Sequence, residues 1–336
     1  MLTRCGKLIG MLPAPSIVII MKRMKWLKKV LKVLAAVLGF AALCIAALAV
    51  YNRIALKKEA SRIVPNGEMI DLGEYSVHVY AEGAETDSPV LVFLSGSATV
   101  APVYDFKALY NRLTDEYRIA VVEKAGYGYS DIVRVERDVK TMVEEVRGAV
   151  FGAGIRGPFV LVPHSMSGLE AIYWAQNYPS EVAGIVGIDM SVPDSYDDFD
   201  FGRINTMRTI GKLSVLLGLM RIPGLYPLND EPLSEYEKEQ QKLLMYRNAV
   251  NIDYIEEGKR VYENAQTVKS AGNITCPVLM FCSNGKEIGD FWLPAQNGFA
   301  QENNAEIVTF DCGHYIHYYK SYEMAEHIKR FMERFK

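Results

Sequence analysis

Short unbroken apolar runs recur along the chain from about residue 68: residues 90–94, 119–122, 159–162, 185–188, 278–281 and 307–310. Each is bounded by Gly, Pro or polar residues, the pattern of strands buried on both faces. Residues 70–72 and 75–80 read as an opening hairpin. Between the runs, apolar positions at 106–113, 139–151, 168–177 and 322–335 fall at helical spacing. Strand and helix in alternation predict a mostly parallel sheet covered by helices, an α/β fold.

Two segments break this rhythm. Residues 195–270 contain no strand-like run; they hold an apolar stretch at 210–222, breaks at Pro223 and Pro227, and polar helical stretches over 234–269. This predicts a helical insertion over the open end of a sheet built from residues 68–194 and 271–336. The other departure is residues 33–51, which carry no charge. At 1.5 Å per residue they span roughly 28 Å, close to the hydrocarbon thickness of a bilayer.

Charge sharpens the second reading. Residues 1–60 carry eleven Lys or Arg and one acid, Glu59, whereas the remainder carries 26 basic and 39 acidic residues. Lys22, Arg23, Lys25, Lys28, Lys29 and Lys32 precede the uncharged run; only Arg53, Lys57 and Lys58 follow it. The heavier basic flank stays in the cytoplasm. The expectation is therefore a basic cytoplasmic segment (1–32), a transmembrane helix or signal anchor (33–51), and a single-pass protein of the cell membrane with its bulk outside. Cleavage at Ala47-Leu48-Ala49 would make it secreted instead. Met21 and Met24 also precede a plausible signal sequence and are alternative starts. The acidic bulk has no evident affinity for nucleic acid phosphates, so the membrane is the expected macromolecular partner and nucleic acid is not.

The 336 residues, half of them apolar, suffice for one large core plus an insertion. Five cysteines, Cys5, Cys44, Cys276, Cys282 and Cys312, show no paired spacing and predict no disulfide framework. The Gly152–Gly157 stretch fits G-x-G-x-x-G but follows a helix and precedes a strand, the reverse of the dinucleotide-binding order. No metal or phosphate-loop motif occurs, so no cofactor and no metal are expected.

The chemistry centres on Ser165. It stands in Val162-Pro163-His164-Ser165-Met166-Ser167-Gly168, at the end of an apolar run and the start of a helical stretch. A sharp strand-to-helix turn can expose a serine hydroxyl and make it a nucleophile. Such a serine needs a histidine base, and there are five. His78 lies in the opening hairpin, His164 adjoins the serine, and His327 lies within the last helix. His314, in Asp311-Cys312-Gly313-His314 after the final strand, is the preferred base, with His317 as the alternative.

These motifs resemble the α/β-hydrolase superfamily over about residues 68–334. The Ser165 segment is similar to the family's V-G-H-S-M-G-G elbow, with Pro163 and Ser167 at two of its glycine positions. Gly126-Tyr127-Gly128-Tyr129-Ser130-Asp131 resembles its G-x-G-x-S-D loop, and Ala171, Ala175 and Tyr178-Pro179 follow the pattern of the elbow helix. Gly313-His314 with Phe331 matches its G-H…F ending. The resemblance implies an eight-stranded, mostly parallel sheet with a cap at 195–270, inserted after the sixth strand. It implies oxyanion donors in the amides of Met166 and Ser97, the latter in a Leu94-Ser95-Gly96-Ser97 loop where the family usually has His-Gly. It also implies a carboxylate to orient the base: Glu287 first, then Asp290, then Asp189.

The expected activity is that of a serine hydrolase, carboxylesterase-like, acting on a small hydrophobic ester or amide; the 20 Tyr and 13 Phe fit such a substrate. One alternative is a proline iminopeptidase-like aminopeptidase, whose substrate amine could meet Asp197, Asp198 or Glu231. A haloalkane dehalogenase is disfavoured because its nucleophile should be Asp. A non-catalytic binding or sensor protein on the same fold is the remaining alternative.

Overall fold

The structure is a computed structural model that describes residues 14–197, 199, 201–226, 228–229 and 231–336, so Cys5, Asp198 and Pro227 lie outside the described residues. It divides into two compact units, Met1–Ile54 and Ala55–Lys336.

A long helix, α1 (Ala14–Glu59), contains the uncharged run. Among the described residues it is the one helix long and apolar enough to cross a membrane. Its apolar side chains, among them Leu34, Val37, Leu38, Phe40 and Leu43, are exposed, as a bilayer-facing helix requires and a core helix does not.

In the second unit the chain runs β1 (Glu68–Asp71), β2 (Ser76–Gly83), β3 (Val90–Leu94), α2 (Pro102–Asp105), α3 (Lys107–Tyr110), β4 (Arg118–Glu123), α4 (Val139–Gly152), β5 (Phe159–Pro163), α5 (Gly168–Asn177) and β6 (Val182–Ile188). It continues with α6 (Phe201–Leu216), α7 (Glu235–Asn248), α8 (Ile252–Ser270), β7 (Val278–Cys282), α9 (Trp292–Glu302), β8 (Glu306–Thr309), α10 (Ile316–Tyr319) and α11 (Ser321–Met332). The eight strands form one sheet in the order β1-β2-β4-β3-β5-β6-β7-β8. The hairpin β1–β2 and the β2–β4 pair are antiparallel, and every later pair is parallel.

Side-chain alternation explains why the parallel strands read as unbroken apolar runs. Val92, Leu94, Leu161 and Met280 point into one layer, and Leu91, Phe93, Val160, Val162, Leu279 and Phe281 into the other. Both layers are covered by helices, so both faces are dry. Each such side chain stabilises the fold by about 1.5–3 kcal/mol.

The segment between β6 and β7 is helical and forms a cap. Its second helix, α7, opens on a capping box between Ser234 and Glu237, and α8 opens on Asn251, whose side chain accepts from the amides of Asp253 and Tyr254. The cap is fastened over the C-terminal strand ends by polar contacts. Asn248 Nδ2 donates to Val100 O (2.8 Å) and Gly128 O (2.7 Å), Asn251 Nδ2 to Gly126 O (2.8 Å), and Tyr254 Oη to Thr99 O (3.1 Å). The cleft that remains lies where ligands bind in open α/β sheets.

Candidate active site

Strand β5 ends at Pro163, and the chain turns through His164 and Ser165 into α5. Ser165 has φ 53°, the left-handed region that an L-residue enters at a cost of about 1–3 kcal/mol. Surrounding contacts hold it there. Ser191 donates to Ser165 O from its amide (2.8 Å) and its hydroxyl (3.1 Å). Gly168 packs so closely that a Cβ would fall 2.1 Å from Ser191 O. Ser167, at a position where the elbow pattern has glycine, is fully buried, and its hydroxyl lies within hydrogen-bond distance of Leu94 O (2.7 Å) and His164 O (2.9 Å). The extra hydroxyl is thus satisfied by the neighbouring strand end, and the turn keeps the geometry of a nucleophile elbow.

The loop after β3 presses against this serine. A Cβ on Gly96 would fall 2.7 Å from Ser165 Cβ, so only glycine fits. Ser97 follows it and is exposed; Met166 follows Ser165 and is buried. Both implied oxyanion residues are therefore direct chain neighbours of this contact. Gly96→Ala is expected to push the loop away from Ser165 and to cut hydrolytic turnover about 10²–10³-fold, the effect that loss of one oxyanion donor has in a hydrolase. Steady-state hydrolysis compared with the parent checks this, with unchanged circular dichroism as the control for folding.

His314 lies in the loop between β8 and α10, its ring 4.7 Å from that of His164. Its Nδ1 is 2.6 Å from Asp189 Oδ2. Asp189 follows β6, is fully buried and has φ 39°. Its Oδ1 accepts from Ser283 N (2.9 Å) and Gln296 Nε2 (3.1 Å). Burial pushes the Asp189 carboxyl up, but the His314 hydrogen bond and the Ser283 amide outweigh it and hold the group below the usual carboxylate range. An ionised carboxylate only accepts, so Nδ1–H donates to it, and in the neutral ring this leaves the lone pair on Nε2.

The expectation for the acid is thereby corrected. Glu287 is exposed, and its Oε2 accepts from the backbone amide of His314 at 2.8 Å, not from the ring. Its carboxylate packs on Gly313, where a Cβ would fall 2.3 Å from Glu287 Oε1. It fixes the loop that carries His314. Asp290 is exposed. Asp189, the third choice, occupies the place beside the ring because β6 lies next to β5 in the sheet and its C-terminal end faces the same cleft.

The other histidines are engaged elsewhere. His317, the alternative base, is buried with Nε2 3.0 Å from Asp105 Oδ2. His164 is fully buried and kept neutral by burial and by the adjoining His314 and His317. His78 has Nδ1 2.9 Å from Glu123 Oε2, both buried, and His327 packs edge-on against Phe281.

Two cavities flank the loop after β3 and share Ala98 and Val250 as lining residues. One, of about 860 Å³, is lined by Ser97 and by the aromatic side chains of Tyr196, Phe199, Tyr254 and Tyr262. The other, of about 830 Å³, holds Met220, Tyr226, Met245, Tyr315 and Tyr318. Of the acids considered for binding an amine, Asp197 is paired with Lys269 (2.9 Å), and Glu231 lines the second cavity. Among the described residues, no cluster of three or more His, Cys, Asp or Glu is arranged to hold a metal ion.

No protein-family model matches the chain. An uncharacterised protein of Bacillus subtilis, YbdG, is 31% identical over 325 residues, covering 93% of this chain and 99% of its own. Among solved structures, a carboxylesterase of Nitrososphaera gargenis aligns with TM-score 0.61 and 15% identity, over 80% of this chain and 98% of its own. An epoxide hydrolase of Vigna radiata aligns with TM-score 0.57 and 16% identity, over 80% and 98% respectively. The strand order, the cap after the sixth strand, the left-handed residue between β5 and α5 and these alignments agree: the chain has the α/β-hydrolase fold.

Proposed function

We propose that this protein is a membrane-anchored serine hydrolase that cleaves a carboxylic ester. The observations that carry the reading are a left-handed serine at the strand-to-helix turn, Ser165, and a histidine, His314, whose ring packs on that of the adjoining His164 and whose Nδ1 lies 2.6 Å from a buried carboxylate, Asp189. In this reading Ser165 Oγ attacks the ester carbonyl as His314 Nε2 takes its proton. The carbonyl π electrons move to oxygen, and the amides of Ser97 and Met166 stabilise that oxyanion. Collapse expels the alcohol, which takes the proton from His314. Water, deprotonated by the same nitrogen, then releases the acid and restores Ser165. Asp189 stays ionised throughout and stabilises the imidazolium. The aromatic linings of the two cavities support a small hydrophobic substrate divided between an acyl and an alcohol side. The engagement of Asp197 by Lys269 removes one of the three acids considered for an aminopeptidase; Glu231 still lines the second cavity.

The same proposal assigns α1 as the anchor, with the hydrolase unit outside the cytoplasm, on the asymmetry of basic residues about its uncharged run. The test of the chemistry is fluorophosphonate labelling of the full-length protein in detergent. Covalent labelling of the parent that is absent in Ser165→Ala is expected. A folded parent that resists the probe would overturn the hydrolase reading in favour of a non-catalytic binding protein.

A further inference from the structure

The cavity of about 860 Å³ joins the loop beside Ser165 to the cap. Ser97 lines it and directly follows Gly96, the residue that packs on Ser165. The cap contributes Arg208 of α6 and one face of α8, on which Tyr254, Gly258 and Tyr262 recur every fourth residue.

The charged side chains of this lining are Asp197, Arg208, Lys259 and Glu263. Three of them have partners. Asp197 pairs with Lys269 at 2.9 Å, Lys259 with Glu256 at 2.8 Å, and Glu263 with Arg260 at 2.6 Å. Arg208 is half-buried and forms no hydrogen bond or ion pair among the described residues. The Glu256 carboxylate feels its charge, but that group already bonds Lys259 and lies 3.6 Å from Arg134. A guanidinium carries five N–H donors in a planar fork that matches the two oxygens of a carboxylate. A fully exposed arginine would give those donors to water. This one shares a largely aromatic cavity, where attraction to an anion is less screened than in bulk solvent.

Gly258 shows where such an anion has room. It lies within α8, although glycine is the poorest helix former after proline. Packing does not require it, because a Cβ there would meet nothing within 4 Å. Gly96 and Gly168 differ in this respect, since a Cβ at either would collide with its neighbours. The missing side chain leaves the wall open to a ligand beside the helix backbone.

We propose that Arg208 binds a carboxylate of the substrate, and that the ester cleaved at Ser165 is a half-ester of a dicarboxylic acid. The free carboxylate meets the guanidinium, the methylenes pass over Gly258 between the aromatic side chains, and the ester carbonyl reaches Ser165 past Ser97. Water adds across the ester bond, and the products are an alcohol and a dicarboxylic acid. One unpaired guanidinium suits one carboxylate. The proposal rests on the serine-hydrolase reading, and the test separates the two.

Full-length protein in nonionic detergent is given the mono-para-nitrophenyl esters of adipic and suberic acid, and the same esters with the free carboxylate methyl-capped. The capped forms keep the chain and lose the charge. For at least one chain length, kcat/KM is expected to be about 10–100-fold higher for the anion, the worth of a charged hydrogen-bonded contact. Arg208→Gln should bring this ratio close to one, chiefly by raising KM for the anion. Arg208→Lys should keep part of it, and Arg208→Glu should invert it. Gly258→Leu, a better helix former, should raise KM for the preferred half-ester by filling its seat. Equal kcat/KM for charged and capped esters at both lengths, or a preference that survives in Arg208→Gln, would overturn the assignment and leave the hydrolase reading standing. Binding is measured separately, by calorimetric titration of Ser165→Ala with monomethyl and dimethyl suberate. Tighter binding of the anion that disappears when Arg208→Gln is added supports the carboxylate site even where the parent cleaves no ester, a result that would sink the hydrolase reading alone. Equal binding of the two overturns the site.

Discussion

Replacing Asp189 by Asn is expected to lower kcat on an activated ester about 10⁴-fold, with little change in KM. The argument lies in the hydrogen bonds on either side of this residue. One carboxylate oxygen accepts from Ser283 N and Gln296 Nε2, and the other accepts from His314 Nδ1 at 2.6 Å. An asparagine keeps its oxygen where two donors already point and turns its amide NH2 toward the ring. His314 Nδ1 must then accept, the proton moves to Nε2, and the nitrogen that should take the Ser165 proton is occupied. Glu287→Gln is expected to cost less than about tenfold, because a glutamine oxygen can still accept from the His314 amide. Both variants are compared by steady-state hydrolysis of a chromogenic ester. A large loss in Glu287→Gln beside a mild one in Asp189→Asn would reverse the assignment of the acid.

The acid shows where sequence reasoning stops. Strands 90–94, 159–162 and 278–281 are legible because burial on both faces leaves an unbroken apolar signal, and Ser165 is legible because the turn needs small residues around it. Which carboxylate meets His314 depends instead on the order of strands in the sheet, a tertiary fact. Asp189, Glu287 and Asp290 all follow strands that end at the same edge of the fold. The usable signal for Asp189 is local: it directly follows the apolar run 185–188, a place where a charged residue has no reason to be buried unless it is paired. The helix α9 went unread because its sequence carries few periodic apolar positions; Trp292, Phe299 and Ala300 supply most of its buried face. The stretch at 106–113 reads as one helix, yet it folds as the second of two short helical pieces, α2 and α3.

Lys124 is another residue whose role the sequence hides, since its partners lie 46 and 133 residues away. Lys124→Met is expected to destabilise the protein by about 3–5 kcal/mol. The lysine is fully buried just after β4, with Nζ 2.5 Å from Glu170 Oε1 on the elbow helix α5 and 2.7 Å from Glu257 Oε1 on the cap helix α8. Tyr127 Oη donates to the other oxygen of Glu257 at 2.6 Å. One cation thus serves two buried carboxylates and ties the cap to the elbow helix α5, which follows Ser165. Burial pushes the Glu170 carboxyl up to about 7, against the pull of Lys124. A carboxyl raised from 4.5 favours the folded state fully below that value and loses this contribution as pH rises through about 7. The loss in Lys124→Met should therefore grow as pH rises from about 4.5, because the variant leaves Glu170 to ionise in a buried site without its counter-charge. Adding Glu170→Gln and Glu257→Gln removes those charges and should recover most of the stability. Urea unfolding of the detergent-solubilised protein at both ends of this pH range measures the effect; a loss under about 1 kcal/mol, the scale of a surface ion pair, would mean that the triad does not hold the cap to the elbow.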